Sequence, residues 1–163
     1  KLEQVLPLCR IKPVVLEVEI NPTFQQPKLF DYCMEHEILP IAFSPMGSPC
    51  RPERDTEPGD VVTFEMPELI EISKAHNCHP ATICVKWAVQ RGHVPIPFSI
   101  FEKEYVGNLR CTTEDFLTEE EMETLRKADR NARLIKGKVF LWEEAKDWRD
   151  IWDGEDEWND RQS

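Results

Sequence analysis

The sequence predicts an α/β fold built on a short parallel sheet. Three observations predict it. Apolar, β-branched runs recur at residues 14–20, 39–43 and 94–97; helical patterns lie between them; Pro, Gly, Asn or Ser marks the junctions. Strands alternating with helices form βαβ units, whose crossovers are right-handed, so the strands run parallel. Three such units make either a small doubly wound sheet or an arc of a larger barrel. A closed eight-stranded barrel typically takes ~250 residues, and this chain has 163.

Each element has its own signal. Residues 1–9 read as the tail of a helix, with Leu2, Val5 and Leu6 at helical spacing. The first strand, 14–20, stops at Asn21-Pro22. Pro27 opens the next helix, whose apolar stripe is Leu29, Phe30, Cys33 and Met34. The second strand, 39–43, runs into the turn Ser44-Pro45-Met46-Gly47-Ser48-Pro49. Residues 50–63 form a polar loop long enough to be functional or mobile. Helices follow at 67–76 and 80–91, the second bounded by Pro80 and Gly92. The third strand, 94–97, leads into a short helix over 102–109. Thr118 and Glu121 form a capping box, and Met122, Leu125 and Ala128 face inward from the helix it starts.

Residues 131–163 differ in composition and hold four of the five tryptophans, Trp142, Trp148, Trp152 and Trp158. From 143 to 163 there are nine carboxylates against three cations, −6 of the total −11. The chain therefore divides into a folded unit, 1–130, and a Trp-rich acidic tail, 131–163. Trp142 and Trp148 are expected to anchor this tail, and the part beyond Asp153 is expected to be disordered.

Composition excludes several roles. A net charge of −11 argues against nucleic acid and anionic membrane surfaces as partners. No apolar run approaches the ~18 residues of a spanning helix. The first residues lack a signal peptide, because Pro7 and Arg10 interrupt a short apolar stretch. Six cysteines without CxxC spacing read as reduced thiols in the cytoplasm. The cluster His76, Cys78, His79 and Cys84 lacks paired ligand spacing and reads as a helix-to-helix turn with exposed histidines. No metal and no obligate protein partner is expected.

In either parallel architecture, ligands bind beyond the carboxyl ends of the strands. Those ends are residues 17–21, 43–48 and 98–101. The segments "IKPVVLEVEINP", "LPIAFSPMGSP", "VPIPFSIFEKEYVGN" and "LTEEEMETLRKADRNAR", in this order, resemble the aldo-keto reductase family. The tail "RLIKGKVFLWEEAKDWRDIWD" is more specifically similar to the fungal glycerol dehydrogenase and glyceraldehyde reductase branch. The resemblance implies the C-terminal part of a (β/α)₈ barrel, about three βα units, in a chain where the barrel is incomplete. It also implies an NAD(P)H-dependent oxidoreductase of small aldehydes or polyols. The family's catalytic tetrad lies in the half not matched here, so no catalytic residue is assigned and the chain alone is expected to be inactive. The alternative is a non-catalytic remnant or interaction protein with a degraded cofactor site.

Cofactor positions carry over by resemblance. Phe43 matches an aromatic ring that stacks on the nicotinamide, and Glu17 a Gln that binds its carboxamide. Ser44, Met46 and Ser48 match the pyrophosphate loop, and Ser99 and Asn108 match positions near the adenosine. Phe98 stands where the family's Lys holds the 2′-phosphate, and Glu104 where its Arg does. NADP is the family's cofactor; replacing two cations by a ring and a carboxylate leaves NAD possible. The pleat puts Glu17 and Glu19 on one face, where a buried Glu17 would need a partner. Phe98 and Phe101 are expected to pack against the rim, with stacking on adenine as the alternative.

Overall fold

Three short strands pair in parallel in the order β1-β2-β3. The computed structural model describes residues 1–114 and 116–152. The elements are α1 (Leu2–Val5), β1 (Val15–Glu19), α2 (Pro27–Glu35), β2 (Leu39–Phe43), α3 (Pro67–Ala75), α4 (Pro80–Arg91), β3 (Val94–Pro95), α5 (Glu102–Arg110) and α6 (Glu119–Lys127). The register runs from Val15 opposite Leu39 to Glu19 opposite Phe43, with Ile41 opposite Val94. This mixed α/β arrangement is the one expected from alternating strand and helix patterns.

Strand alternation sorts the side chains. Val18 and Ala42 face the helices and join a core with Phe30, Leu69, Ile83, Trp87 and Leu125. Burying each large apolar side chain contributes roughly 1.5–3 kcal/mol. The other face is open: Val15, Leu39 and Val94 are 39–47% exposed, and Glu17 is exposed too.

The local signals act as chemistry dictates. Thr118 Oγ accepts from the Glu121 amide at 3.2 Å while Glu121 accepts from the Thr118 amide at 2.8 Å. This reciprocal cap starts α6, whose Leu125 and Ala128 are buried. His79 caps α4 by accepting from the Ala81 amide at 3.1 Å. Gly92 ends α4 at φ 99°, a left-handed turn that glycine adopts without steric cost.

Some expectations are corrected. The third strand covers only Val94–Pro95. Ile96 still donates to Ala42 O at 3.0 Å, but Pro95 and Pro97 have no N–H to continue a ladder. Met34 is 49% exposed, because the α2 stripe that turns inward is Phe30 and Cys33. Residues 2–8 are helical but bury nothing. His76 is mostly covered by its contact with Glu121 at 3.0 Å, and only His79 is exposed. In the tail, Trp142 is 51% exposed, whereas Trp152 stacks on Arg133 at 3.8 Å and donates to Lys136 O at 2.9 Å. The anchoring rings are Trp148 and Trp152. Trp158 and the expected disorder beyond Asp153 lie outside the described residues. Among the described residues, no helix is long and apolar enough to cross a membrane.

Candidate functional site

The carboxyl ends of the three strands carry three different environments. At β1, Glu19 is fully buried and accepts from the Leu134 amide at 3.1 Å and the Ile135 amide at 3.0 Å. Burial pushes its carboxyl above the usual value, against the opposing pull of those amides, Arg133 and Arg51. Asn21 Oδ1 accepts from the Thr23 amide at 3.0 Å, and Thr23 O accepts from the Arg130 and Ala132 amides, both at 3.1 Å. The segment after α6 is thus stitched across the end of β1. That segment separates Glu19 from Glu17: the pleat puts both on one face, but only Glu19 is covered. The desolvation expected for Glu17 falls on Glu19 instead.

At β2, the half-buried Phe43 lies in register with Glu19. The turn after it is left-handed at Ser44 (φ 49°), Gly47 (φ 77°) and Ser48 (φ 45°). A Cβ on Gly47 would come within 2.0 Å of Thr63 Oγ1, so this position admits no side chain. Among the described residues, the Ser44 and Ser48 hydroxyls make no hydrogen bond within the protein. Met46 and Gly47 line a cleft of about 300 Å³ with Arg51, Asp60, Thr63 and Phe64.

The loop over 50–63 straps this cleft. Arg51 reaches Asp60 at 2.6 Å and donates to Asp55 O at 3.1 Å. Lys136, only 4% exposed, reaches Asp60 at 3.1 Å and Glu57 at 3.4 Å, and Lys138 reaches Glu57 at 3.0 Å. Burial works to raise the Asp60 carboxyl, but the Glu57 amide, Arg51 and Lys136 outweigh it and hold it below its usual range. Lys136→Met is expected to free the strap from the C-terminal segment and lower stability by about 1–3 kcal/mol, discounted for the partial exposure of Glu57. Thermal melting and faster amide exchange over residues 50–63 check this; unchanged exchange refutes it.

At β3, the side chains run outward. Phe98 is 84% and Phe101 62% exposed, so the expected packing against a rim is wrong for both. The proline-spaced segment places alternate side chains outside. Ser99 Oγ accepts from the Phe101 amide at 3.1 Å and donates to Glu104 at 2.5 Å. Ser99 and Asn108 share a groove of about 560 Å³ between α4, β3 and α5, together with Val89, Pro97 and Tyr105.

The structure therefore brings Ser99 and Asn108 together, and gathers Phe43, Ser44, Met46 and Ser48 at one turn. Glu17 stays on the open face and Phe98 stands outside the groove. The two clefts share no lining residue.

The sequence profile of the aldo/keto reductase family matches residues 1–130. The chain belongs to the aldo/keto reductase family. It is 33% identical over 152 residues to aldo-keto reductase family 1 member A1-A of Danio rerio, covering 90% of this chain and 46% of that protein. It is 35% identical over 140 residues to the aldo/keto reductase slr0942 of Synechocystis sp., covering 86% and 42% respectively. It is 34% identical over 134 residues to 9,11-endoperoxide prostaglandin H2 reductase of Trypanosoma cruzi, covering 82% and 44%. The chain thus spans less than half the length of the curated relatives it matches.

In this aldo/keto reductase chain, Arg51, Asp60, Arg133 and Lys136 escaped sequence reasoning, which placed Glu19 only on the face it shares with Glu17. Arg133 lies 4.5 Å from the Phe24 ring and 3.8 Å from the Trp152 ring. The sequence shows the carboxylates Glu57 and Asp60 and the cations Lys136 and Lys138. Nothing in the sequence says that loops 76 residues apart, at Asp60 and Lys136, would meet.

Proposed function

We propose that this aldo/keto reductase chain is the cofactor-holding, C-terminal part of a (β/α)₈ barrel, in an NAD(P)H-dependent oxidoreductase of small aldehydes or polyols. The observation that carries this reading is the turn after β2. It presents the Phe43 ring, two hydroxyls without protein partners among the described residues, and a glycine-tight backbone beside a strapped cleft. Left-handed turns free of side chains let a ligand approach the backbone closely. The donor set fits the uncharged parts of a dinucleotide. A nicotinamide cofactor would supply the hydride. Phe43 would stack on its ring, Ser44 and Ser48 would donate to its linking groups, and Met46 would exclude water. Ser99 and Asn108 would hold the adenosine end, and Glu17 would face the carboxamide from the open face.

Labour divides along the chain. Residues 1–130 hold the cofactor, and 131–163 form an acidic tail whose first part straps the sheet end. The catalytic tetrad is not among these residues, so the chain alone does not reduce a carbonyl. Cytoplasmic placement accords with six cysteines without CxxC spacing. The tail motif favours the fungal glycerol dehydrogenase branch.

The β3 loop fits a 2′-phosphate poorly. Phe98 offers no charge, and the Glu104 carboxylate sits on Ser99 at 2.5 Å. This favours NADH over NADPH, or, on the second reading, a remnant whose cofactor site has degraded. The double variant Phe98→Lys, Glu104→Arg separates them. Charge-assisted hydrogen bonds to phosphate contribute about 1.5–3 kcal/mol each. The variant is expected to tighten NADPH binding on the order of a hundredfold and leave NADH nearly unchanged, read by quenching of tryptophan fluorescence. Equal changes for both cofactors would remove the β3 loop from the site. No binding of either by the parent chain or the variant favours the remnant.

A further inference from the structure

The turn after β2 offers hydroxyls, a ring and close backbone, but a dinucleotide also carries charge. Arg51 lies beside that turn, and its side chain is only 8% exposed. Two of its nitrogens are fixed on main chain: Nε donates to Asp55 O at 3.1 Å and Nη1 to Ser48 O at 3.4 Å. The third, Nη2, donates to Asp60 Oδ2 at 2.6 Å. Arg51 and Asp60 both line the cleft of about 300 Å³ with Met46 and Gly47. The guanidinium is therefore oriented by backbone and held to one side chain at the cleft wall.

Asp60 depends less on Arg51 than Arg51 does on it. Lys136 Nζ donates to Asp60 Oδ1 at 3.1 Å and Oδ2 at 3.3 Å, and the Glu57 amide donates to Oδ2 at 2.8 Å. Asp60 can release Arg51 and keep these partners. A covered guanidinium without an anion is costly, so Arg51 gives up Asp60 only as another anion arrives. Charge counting points the same way. Lys136 and Lys138 answer Glu57 and Asp60, and Arg54 lies 3.7 Å from Asp55. The buried Glu19 nearby accepts from two main-chain amides and has Arg133 beside it. Among the described residues of the strap, Arg51 is then the surplus cation. Each of these groups finds its partners within this chain.

We propose, resting on the reading that this turn holds a dinucleotide, that Arg51 is the cation for its diphosphate and that Asp60 is the resident anion which the diphosphate displaces. A guanidinium fork fits phosphate oxygens as it fits a carboxylate, so Nη2 changes partner without moving. Asp60 turns its charge to Lys136, which keeps the strap over the cleft while Arg51 exchanges. Ser44 and Ser48, on the turn to which Arg51 is bonded, supply hydroxyls to the same group. The cleft is at the small end of ligand clefts, which suits a diphosphate rather than a whole dinucleotide. A divalent cation is disfavoured, because Glu57 and Asp60 already carry lysines and Arg51 would repel it.

The probe is inorganic pyrophosphate, titrated into the full chain by calorimetry, with NADH titrated separately by tryptophan quenching. Arg51→Gln is expected to weaken pyrophosphate binding on the order of tenfold. Asp60→Asn is expected to tighten it roughly tenfold, because the competing charge is gone while an acceptor for Lys136 remains. A purely structural Arg51–Asp60 pair gives the opposite sign, since loosening the strap weakens binding. On the unaltered chain, pyrophosphate is expected to slow amide exchange over residues 44–51 and not over 94–101, which reads the site without any variant. Weaker or unchanged binding in Asp60→Asn, or no protection over 44–51, overturns the exchange at Arg51. NADH that binds the parent chain and both variants alike overturns it too, and leaves the cofactor reading intact. Pyrophosphate that behaves as expected, beside NADH that does not bind, keeps the diphosphate site and removes the dinucleotide.

Discussion

Replacing Glu19 by Ala releases residues 133–136 from the end of the sheet and costs about 2–5 kcal/mol, because two backbone amides lose their only acceptor in a covered site. The amides are those of Leu134 and Ile135, at 3.1 and 3.0 Å. The release reads out in fluorescence, since Trp152 is held through Arg133 and Lys136 O. Glu19→Gln keeps one acceptor and turns an NH₂ toward the other amide, so it falls between wild type and Ala. The pH dependence separates charge from shape. Burial raises the Glu19 carboxyl above 4.5 in the folded chain, despite the opposing amides. The folded state therefore holds that proton more tightly, and this contribution to stability is largest at low pH. It is lost as pH rises from 4.5 through the folded value. Gln does not titrate, so the slope should vanish in Glu19→Gln; a slope that persists assigns it to another group.

His93→Leu is expected to stabilise the chain and to flatten its acid response. His93 is 3% exposed, and neither ring nitrogen has a hydrogen-bond partner among the described residues. Its ring meets Phe30 and Trp87 edge-on at 5.8 and 5.3 Å. Burial, with Arg91 nearby, pushes its pKa down from 6.5 to about 3. Below pH 6.5 the unfolded chain takes up a proton that the folded chain refuses. The stability is fully present above 6.5 and is lost as pH falls toward 3. At one pKa unit per 1.36 kcal/mol, the loss is about 2 kcal/mol at pH 5. Leucine fills similar space without orphaned polar atoms, so denaturant melts of the variant should show a higher midpoint at pH 5 and a smaller difference between pH 5 and pH 7. A variant as acid-sensitive as the parent chain would show that His93 is charged in the fold.

Much of the fold was legible in the sequence. The parallel sheet followed from alternating periods, the α6 start from Thr118 and Glu121, and the end of α4 from Gly92. These signals are local: each depends on atoms within a few residues, so spacing alone carries them. The turn at residues 44–48 was legible as a turn for the same reason. Its left-handed serines, however, appear only in the backbone angles, because serine reaches such angles under constraint from its surroundings.

Sequence by itself determined the class of this chain, the order of its elements and its membership of the aldo/keto reductase family. It also determined that Pro95 and Pro97 carry no donors, since that is a property of the residue type. Tertiary structure decided which of two glutamates on one strand face is buried, because residues 133–136 cross Glu19 and stop short of Glu17. It decided that Lys136 meets Asp60, that Phe98 and Phe101 face solvent, and that Trp148 and Trp152 anchor the tail while Trp142 does not. The physical reason is common to all four. Burial and ion pairing depend on what a distant part of the chain brings to the same place, and no local period records that distance.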